Sequence, residues 1–372
     1  MDFSKKVLLL LISTYNNIFI TLSLIYKIGF KVYTKMSNNK QHLLSYGRYI
    51  FKVTKIWKEI SLAIIAALLV GGASYLYISN HGSNKTAHQS TITESSINSK
   101  PTEKKTNSTA ISHIFIIVDE NKPSDTIVGN SQAPYINSLI NTYAFASNYS
   151  GVTHPSLPNY LALTSGSTDG ITTDCNPPGA GCIVNVLNIA DEIQASGRTW
   201  KAYAESMPSP CYMLNSGSDF ATKHVPFLYY KDIVNNSSLC NSHIVPFSQL
   251  SSDLKSISTT PNYAFITPNL CNDMHSCSVA VGDAWLAKYV PMILNSKAFQ
   301  SQRSLLVITW DEGYVGNNVV PAIFAGSAAK KGYKSSAPYN HYSLLHTIEQ
   351  LWGLRPLNSN DANAPIMTSF IN

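Results

Sequence analysis

The sequence predicts an α/β protein with a mostly parallel central sheet flanked by helices. Two observations carry that prediction. Short β-branched runs alternate along the chain with amphipathic stretches, the pattern of strand–helix–strand units. Two of the runs end directly in carboxylates, Asp119-Glu120 after HIFIIV and Asp311-Glu312 after LLVITW. Sheets of this kind gather their ligands beyond the carboxyl ends of the strands.

The elements follow in order. Residues 113–118 form a short apolar strand, 133–142 a helix and 143–149 a second strand. A short helix over 157–164 starts beside Pro155 and Pro158. Residues 186–196 are amphipathic, with Leu187, Ile189, Ala190 and Ile193 apolar, and lead into a strand at 199–204. Further strands are expected at 263–267, 305–310 and 319–325, and helices at 283–295 and 342–351. The segment from about 165 to 258 has little periodicity and holds four of the six cysteines. It reads as loops and a small cap over the sheet.

Charge divides the chain. The net charge of +6 is concentrated at the start, where residues 1–60 hold ten Lys/Arg against Asp2 and Glu59. From Ile111 onward there are 13 Lys/Arg against 17 Asp/Glu, a balance of −4. That body has no basic stripe, which excludes nucleic acid as its partner. Residues 61–79 are 19 uncharged residues, which at about 1.5 Å each nearly span a hydrocarbon core of about 30 Å. Lys52, Lys55 and Lys58 precede them and assign the leader, 1–60, to the cytoplasm. A second apolar stretch, 7–26, is interrupted by Asn16 and Asn17. It is either a weaker first span or lies upstream of a start at Met36.

The expectation is a single-pass cell-membrane protein, anchored by an N-terminal helix at 61–79. A Ser/Thr-rich tether at 80–110 would carry an extracytoplasmic domain at 111–372. Sequons at Asn84, Asn107, Asn148, Asn235 and Asn236 agree with export and glycosylation. All six cysteines lie in the body, and an even count in an exported domain suggests three disulfides. Pairing of neighbours, 175–182, 211–240 and 271–277, is the simplest arrangement. A zinc cluster is the rival reading, although no C-x-x-C pair is present.

Three short pieces carry the chemistry: Asp119-Glu120-Asn121, the stretch THPSLPNY at 153–160, and TWDEG at 309–313. Proline favours the first helical turn. Ser156 would then sit at or near an N-cap, where free N–H groups and the helix dipole favour an anion. Asn159, one turn on, would aim its amide at a phosphate oxygen. A hydroxyl among carboxylates needs a cation to hold the charges together, which points to a metal-activated serine and ester hydrolysis. Oxygen ligands suit a hard divalent cation, but carboxylates also bind zinc, so the metal is left open. Asp273 and His275 lie in PNLCNDMHSC, where a 271–277 bridge would pin the loop. His341 opens the last helix, and Lys223-His224 lies in the cap segment.

Taken together these motifs resemble the phosphoesterase family of microbial acid phosphatases and phospholipases C, within the alkaline-phosphatase-like superfamily. The likeness rests on DEN, THPSLPNY, TWKAYAESM, KHVPF, PNLCNDMHSC, ITWDEG and NHYSLL in that order from Ile111 to the C-terminus. It implies that Glu120, Asn121, Ser156, Asp311 and Glu312 hold the metal, with Ser156 the nucleophile. His154, Asn159, Lys223, His224 and Asp273 would surround the phosphate. His275 or His341 would protonate the leaving alcohol, and Asp119 would only support the strand end. Sulfatases of the same superfamily need C/S-x-P-x-R; here Asn159 follows Pro158 and no Arg completes the motif, which disfavours that activity. The implied function is acid phosphatase action on small phosphate monoesters through a phosphoseryl intermediate. A phospholipase C or other phosphodiesterase is the alternative, and a catalytically inactive surface binding protein the alternative of a different class. The oligomeric state is open.

Overall fold

The computed structural model describes residues 110–372 apart from 180, 218, 315 and 317. The leader, the stretches at 7–26 and 61–79, and the tether up to residue 109 lie outside the described residues. Among the described residues no helix is long and apolar enough to cross a membrane.

The strands are β1 (His113–Asp119), β2 (Ala144–Ser150), β3 (Trp200–Ala204), β4 (Ile244–Pro246), β5 (Tyr263–Thr267), β6 (Ser304–Trp310), β7 (Val319–Ala325), β8 (Lys334–Ser335) and β9 (Tyr339–Asn340). They form one nine-stranded sheet in the order β4-β3-β5-β1-β6-β7-β2-β8, with β9 also on β2. The run from β4 to β6 is parallel. β7 lies antiparallel between β6 and β2, so the sheet is mixed. The parallel strands β1, β5 and β6 are buried along their whole length, as their unbroken apolar sequences require of strands covered on both faces.

The main helices are α1 (Pro134–Thr142), α2 (Ser156–Ser165), α3 (Ile189–Ala195), α4 (Val279–Leu294) and α5 (His341–Trp352). α5 starts at a capping box made by Asn340 and Ser343. α2 stops at Gly166, whose φ of 74° is the left-handed geometry of a helix C-terminus.

Segment 165–258 does more than cover the sheet. It supplies β3 and β4 to it, and the intervening loops bring Asp174, Lys223 and His224 over the strand ends. β4 was invisible in sequence because IVP is too short for a periodic signal. The three disulfides join neighbours: Cys175–Cys182, Cys211–Cys240 and Cys271–Cys277. Every described cysteine is in one of them.

Register fixes the site. Asp119 ends β1 opposite Trp310, which ends β6, so Glu120-Asn121 and Asp311-Glu312 leave the sheet side by side. The Asp311 N–H donates to the Asp119 carbonyl at 3.0 Å. β2 ends at the same edge, where a Cβ on Gly151 would come within 2.7 Å of the Asp311 carbonyl oxygen. Only glycine lets the loop that carries Ser156 pass so close to that strand end.

Candidate active site

Ser156 is the first residue of α2, and Pro155 is its cap. Ser156 thus lies beside the N-cap, within the expectation of a serine at or near it, and no side chain of the cap residue bonds the helix. The serine hydroxyl is thereby spared for the strand ends. Its Oγ donates to Glu120 Oε2 at 3.1 Å, and Lys223 Nζ donates to it from 3.4 Å. The cap function passes to Asp174, whose Oδ1 accepts from the Leu157 N–H at 3.2 Å.

Glu120 is the hub of the buried side. Tyr160, one turn after Ser156, donates a short hydrogen bond to Glu120 Oε1. The Tyr160 ring stacks on His224 with centroids 5.3 Å apart. His224 Nε2 lies 3.1 Å from Glu120 Oε1, and its Nδ1 lies 3.3 Å from Asp273 Oδ2. Each contact is an ion pair only when the imidazole is protonated. The angles leave His224 Nε2 and Asp273 Oδ2 without hydrogen-bond partners, and burial, Lys223 and His275 hold His224 well below the ordinary histidine range. Asp273 Oδ1 accepts from the His275 N–H at 2.7 Å, and the Glu120 N–H donates to the Asp273 carbonyl at 2.8 Å. The His275 ring is half-buried and stands 5.9 Å from that of His224.

The second side is built on Glu312. His154 Nδ1 meets Glu312 Oε2 at 2.6 Å, and Asn121 Nδ2 donates to Oε1 at 2.9 Å. Asn121 has a left-handed φ of 46°, a conformation that asparagine tolerates better than most residues, and its N–H donates to Asp311 Oδ1 at 3.1 Å. Asn159 is fully engaged in the loop. Its Oδ1 accepts from the Val152 and Thr153 N–H groups, and its Nδ2 donates to the Thr153 and Pro155 carbonyls. Only a 3.4 Å contact from Nδ2 reaches Glu312. His341 lies behind the floor. Its Nε2 donates to the Asp311 carbonyl at 2.5 Å, and its Nδ1 accepts from the Tyr149 hydroxyl at 2.9 Å. With both nitrogens occupied it fixes the strand end, and burial pushes its pKa down to about 4.

Burial and repulsion from neighbouring acids raise the pKa of every acid in the floor. Burial, then Asp273 and Asp311, pushes Asp119 well up. Burial, Asp311 and Asp273 do the same to Glu120, partly offset by Lys223 and Tyr160. Burial and Glu312 raise Asp311 to about 7, and burial and Asp174 raise Glu312 to about 7. The Ser156 hydroxyl partly offsets the shifts of both Asp311 and Glu312. Burial lowers Lys223, but Glu120 and Asp174 outweigh it and the net shift is upward.

These residues fit a hard cation. Both Asp119 oxygens, Asn121 Oδ1, Asp273 Oδ2 and Asp311 Oδ2 are buried without a hydrogen-bond partner. Unpaired buried oxygens are costly unless a proton or a metal takes them. Among the described residues no three His, Cys, Asp or Glu side chains stand as a ready-made cage. Two of the five expected donors, Asn121 and Ser156, are of other types, and Glu120 is turned toward Tyr160 and Ser156. Asp119 ties the two strand ends through its backbone carbonyl, which accepts from the Asp311 N–H, while its carboxylate oxygens have no hydrogen-bond partner.

Sequence reasoning missed four residues. Tyr160 was findable, because it lies one turn from Ser156. Asp174 and Asn318 had no signal, since long-range loops place them. Asn318 accepts from the Gly313 N–H at 2.7 Å and donates to the Thr153 carbonyl at 3.2 Å, tying the two sides together. Lys122 Nζ donates to the Met274 carbonyl at 2.7 Å, beside His275.

The model of the Phosphoesterase family matches residues 129–355. The chain belongs to the phosphoesterase family. It is a hydrolase acting on phosphoric ester bonds. Over 69% of its length it is 35% identical to the phosphatidylinositol-3-phosphatase of Mycobacterium tuberculosis, covering 81% of that protein. It is 30% identical to a probable acid phosphatase of Kluyveromyces lactis over 69% of this chain and 62% of that one. It is 31% identical to an acid phosphatase of Aspergillus fumigatus over 59% of this chain and 51% of that one. The chain thus spans between half and two thirds of these fungal relatives. Among solved structures, this phosphoesterase resembles an alkaline phosphatase superfamily protein from Vibrio parahaemolyticus, with a TM-score of 0.50 and 11% identity over 69% of this chain and 71% of that one. Human ectonucleotide pyrophosphatase/phosphodiesterase 5 gives a TM-score of 0.50 and 10% identity over 70% of this chain and all of that one. These two likenesses establish the alkaline-phosphatase-like fold.

Proposed function

We propose that this phosphoesterase is an acid phosphatase that hydrolyses phosphate monoesters through Ser156. One observation carries the reading: the Ser156 hydroxyl stands at the start of α2, bonded to Glu120 and approached by Lys223. A divalent cation held by Glu120, Asn121, Ser156, Asp311 and Glu312, with Asp119 alongside, would make the serine alkoxide accessible at ordinary pH.

The chain's own groups do the rest. The proton leaves the Ser156 hydroxyl toward Glu120 Oε2, and Oγ forms a bond to phosphorus as the bond to the leaving alkoxide breaks. Lys223, the Ser156 N–H and the positive end of the α2 dipole stabilise charge on the phosphoryl oxygens, since the Leu157 N–H is already bonded to Asp174 and Pro158 has none. His275 is half-buried and free of the carboxylate floor, so as an imidazolium it gives its proton to the leaving alcohol. Burial, Lys223 and Lys122 lower its pKa, so the cationic form is restricted to acidic solution. His341 has both nitrogens occupied and acts as a positioning residue. Asn159 orders the loop before Ser156 in the same way. Water then attacks the phosphoserine and gives a proton to the neutral His275, the bond from phosphorus to Oγ breaks, Oγ takes its proton back from Glu120, and phosphate is released. The names of the relatives, phosphatidylinositol-3-phosphatase and acid phosphatase, support monoester substrates. Three disulfides and the sequence of residues 61–79 support an anchored, extracytoplasmic enzyme.

The test compares p-nitrophenyl phosphate, bis-p-nitrophenyl phosphate and phosphatidylcholine, before and after chelation and metal return. Monoester turnover that chelation abolishes and a divalent ion restores is expected. Turnover of diesters alone would replace this reading with the phosphodiesterase one, and no turnover of any ester would leave a binding protein.

A further inference from the structure

Asp174 occupies a position that neither motif nor fold explains. It lies in a partly exposed loop, with 32% of its side chain accessible, yet both of its oxygens are used. Oδ1 accepts from the Leu157 N–H at 3.2 Å, and Oδ2 accepts from Lys223 Nζ at 2.9 Å. The same ammonium stands 3.4 Å from Ser156 Oγ. Asp174 therefore bridges the helix that presents the nucleophile and the cation that faces it.

The loop around Asp174 is tied to the lysine's own segment. Asn176 Oδ1 accepts from the Thr222 hydroxyl at 2.9 Å and from the Lys223 N–H at 3.4 Å. The Tyr229 hydroxyl donates to the Cys175 carbonyl at 3.0 Å, and the Cys175–Cys182 bond closes the loop. Opposite Lys223 lies the acidic floor, with Glu120 and Asp311 both attracting it. An ammonium without a counter-pull would settle among those carboxylates and compete for the oxygens assigned to a metal. Asp174 supplies the counter-pull.

Resting on the Ser156 reading above, we propose that Asp174 is a positioning residue that holds the Lys223 ammonium on the phosphate side of Ser156. Its partner in action is the phosphoryl group, through Lys223. It touches no reacting atom itself.

A double-mutant cycle tests this on the full domain: Asp174→Ala, Lys223→Ala and the pair, read as kcat/KM on p-nitrophenyl phosphate and as the competitive inhibition constant of inorganic phosphate. Asp174→Ala is expected to weaken both by about tenfold, and to change neither further once Lys223 is alanine. Asp174→Asn keeps an acceptor for the Leu157 N–H but not the charge, so it separates the two roles of the side chain. The proposal requires Asp174→Asn to lose most of what Asp174→Ala loses, with an unchanged melting temperature. Additive losses in the cycle, or wild-type kinetics for Asp174→Asn, overturn it. Wild-type turnover by Ser156→Ala would instead sink the nucleophile reading, and the phosphate inhibition constants would still decide the coupling between Asp174 and Lys223.

Discussion

The floor of the site and the loops above it are built by opposite means. The floor, Asp119, Glu120, Asp311 and Glu312, consists of the last residue of β1 and the residues that directly follow β1 and β6, so their spacing is set by sheet register. The upper part, Asp174, Lys223, His224, Asp273 and His275, comes from loops. Disulfides close the loops beside Asp174 and around Asp273 and His275. The floor is rigid and over-acidic, and the loops bring the cations and imidazoles that answer it. Strand ends supply precise oxygen ligands, whereas long loops need covalent ties to reach comparable precision.

The comparison breaks first at Ser156, which belongs to both parts. Ser156→Ala is expected to lower kcat by at least about 10³-fold, because the proposed nucleophile is removed while the pocket remains. The melting temperature should change little, since the hydroxyl's bond is to Glu120 and not to the helix it starts. A loss of only a few-fold would mean that water, not serine, attacks phosphorus.

This division also explains what the sequence could show. The floor was readable because each acid pair follows an apolar run directly, and β1, β5, β6 and β7 lie where the runs predict. The loops were only half readable. Lys223-His224 and Asp273-x-His275 stood out as chemistry-bearing types, but nothing local says that His224 lies between Glu120 and Asp273. Asp174 is 49 residues from the lysine it binds, a distance no periodicity spans. His341 shows the reverse failure: its position at the start of α5 was legible, but the orientation of its ring under Asp311 depends on Tyr149 from β2.

The loop side is next. Replacing Cys271 and Cys277 by serine frees the turn that carries Asp273 and His275. Both variants together are expected to cost about a hundredfold in kcat/KM, the scale of a 1 Å misplacement. Stability should fall by about 2 kcal/mol, because the closed loop is short. Assays of turnover and urea unfolding check both. A fall in stability without a fall in turnover would show that the floor alone sets the geometry.

Tyr160→Phe probes the joint between the two parts. It removes the donor to Glu120 Oε1 and keeps the ring against His224. The expected loss is about tenfold in kcat/KM, the value of one hydrogen bond to a charged group, with half-saturation by the proposed divalent cation shifted as well. An unchanged metal dependence would detach Tyr160 from Glu120's proposed role.

The smallest effect separates a functional acid cluster from a structural one. Glu349 in α5 is buried, and burial and then its neighbour Asp361 raise its pKa from 4.5 to about 9. Glu192 is the other acid that raises it. Between those two values the folded chain keeps a proton that the unfolded chain releases, so stability falls as pH rises through that window and levels off above it. Glu349→Gln removes the titration and keeps the shape. Its melting temperature should exceed the wild type's by a few degrees at pH 8 and by much less at pH 5, with kcat unchanged at both. An equal gain at the two pH values would make packing the cause. The floor should respond differently to the same kind of change: Glu120→Gln should also ease buried repulsion, but at the expense of turnover, because Glu120 accepts from the Ser156 hydroxyl and lies in the field of Lys223.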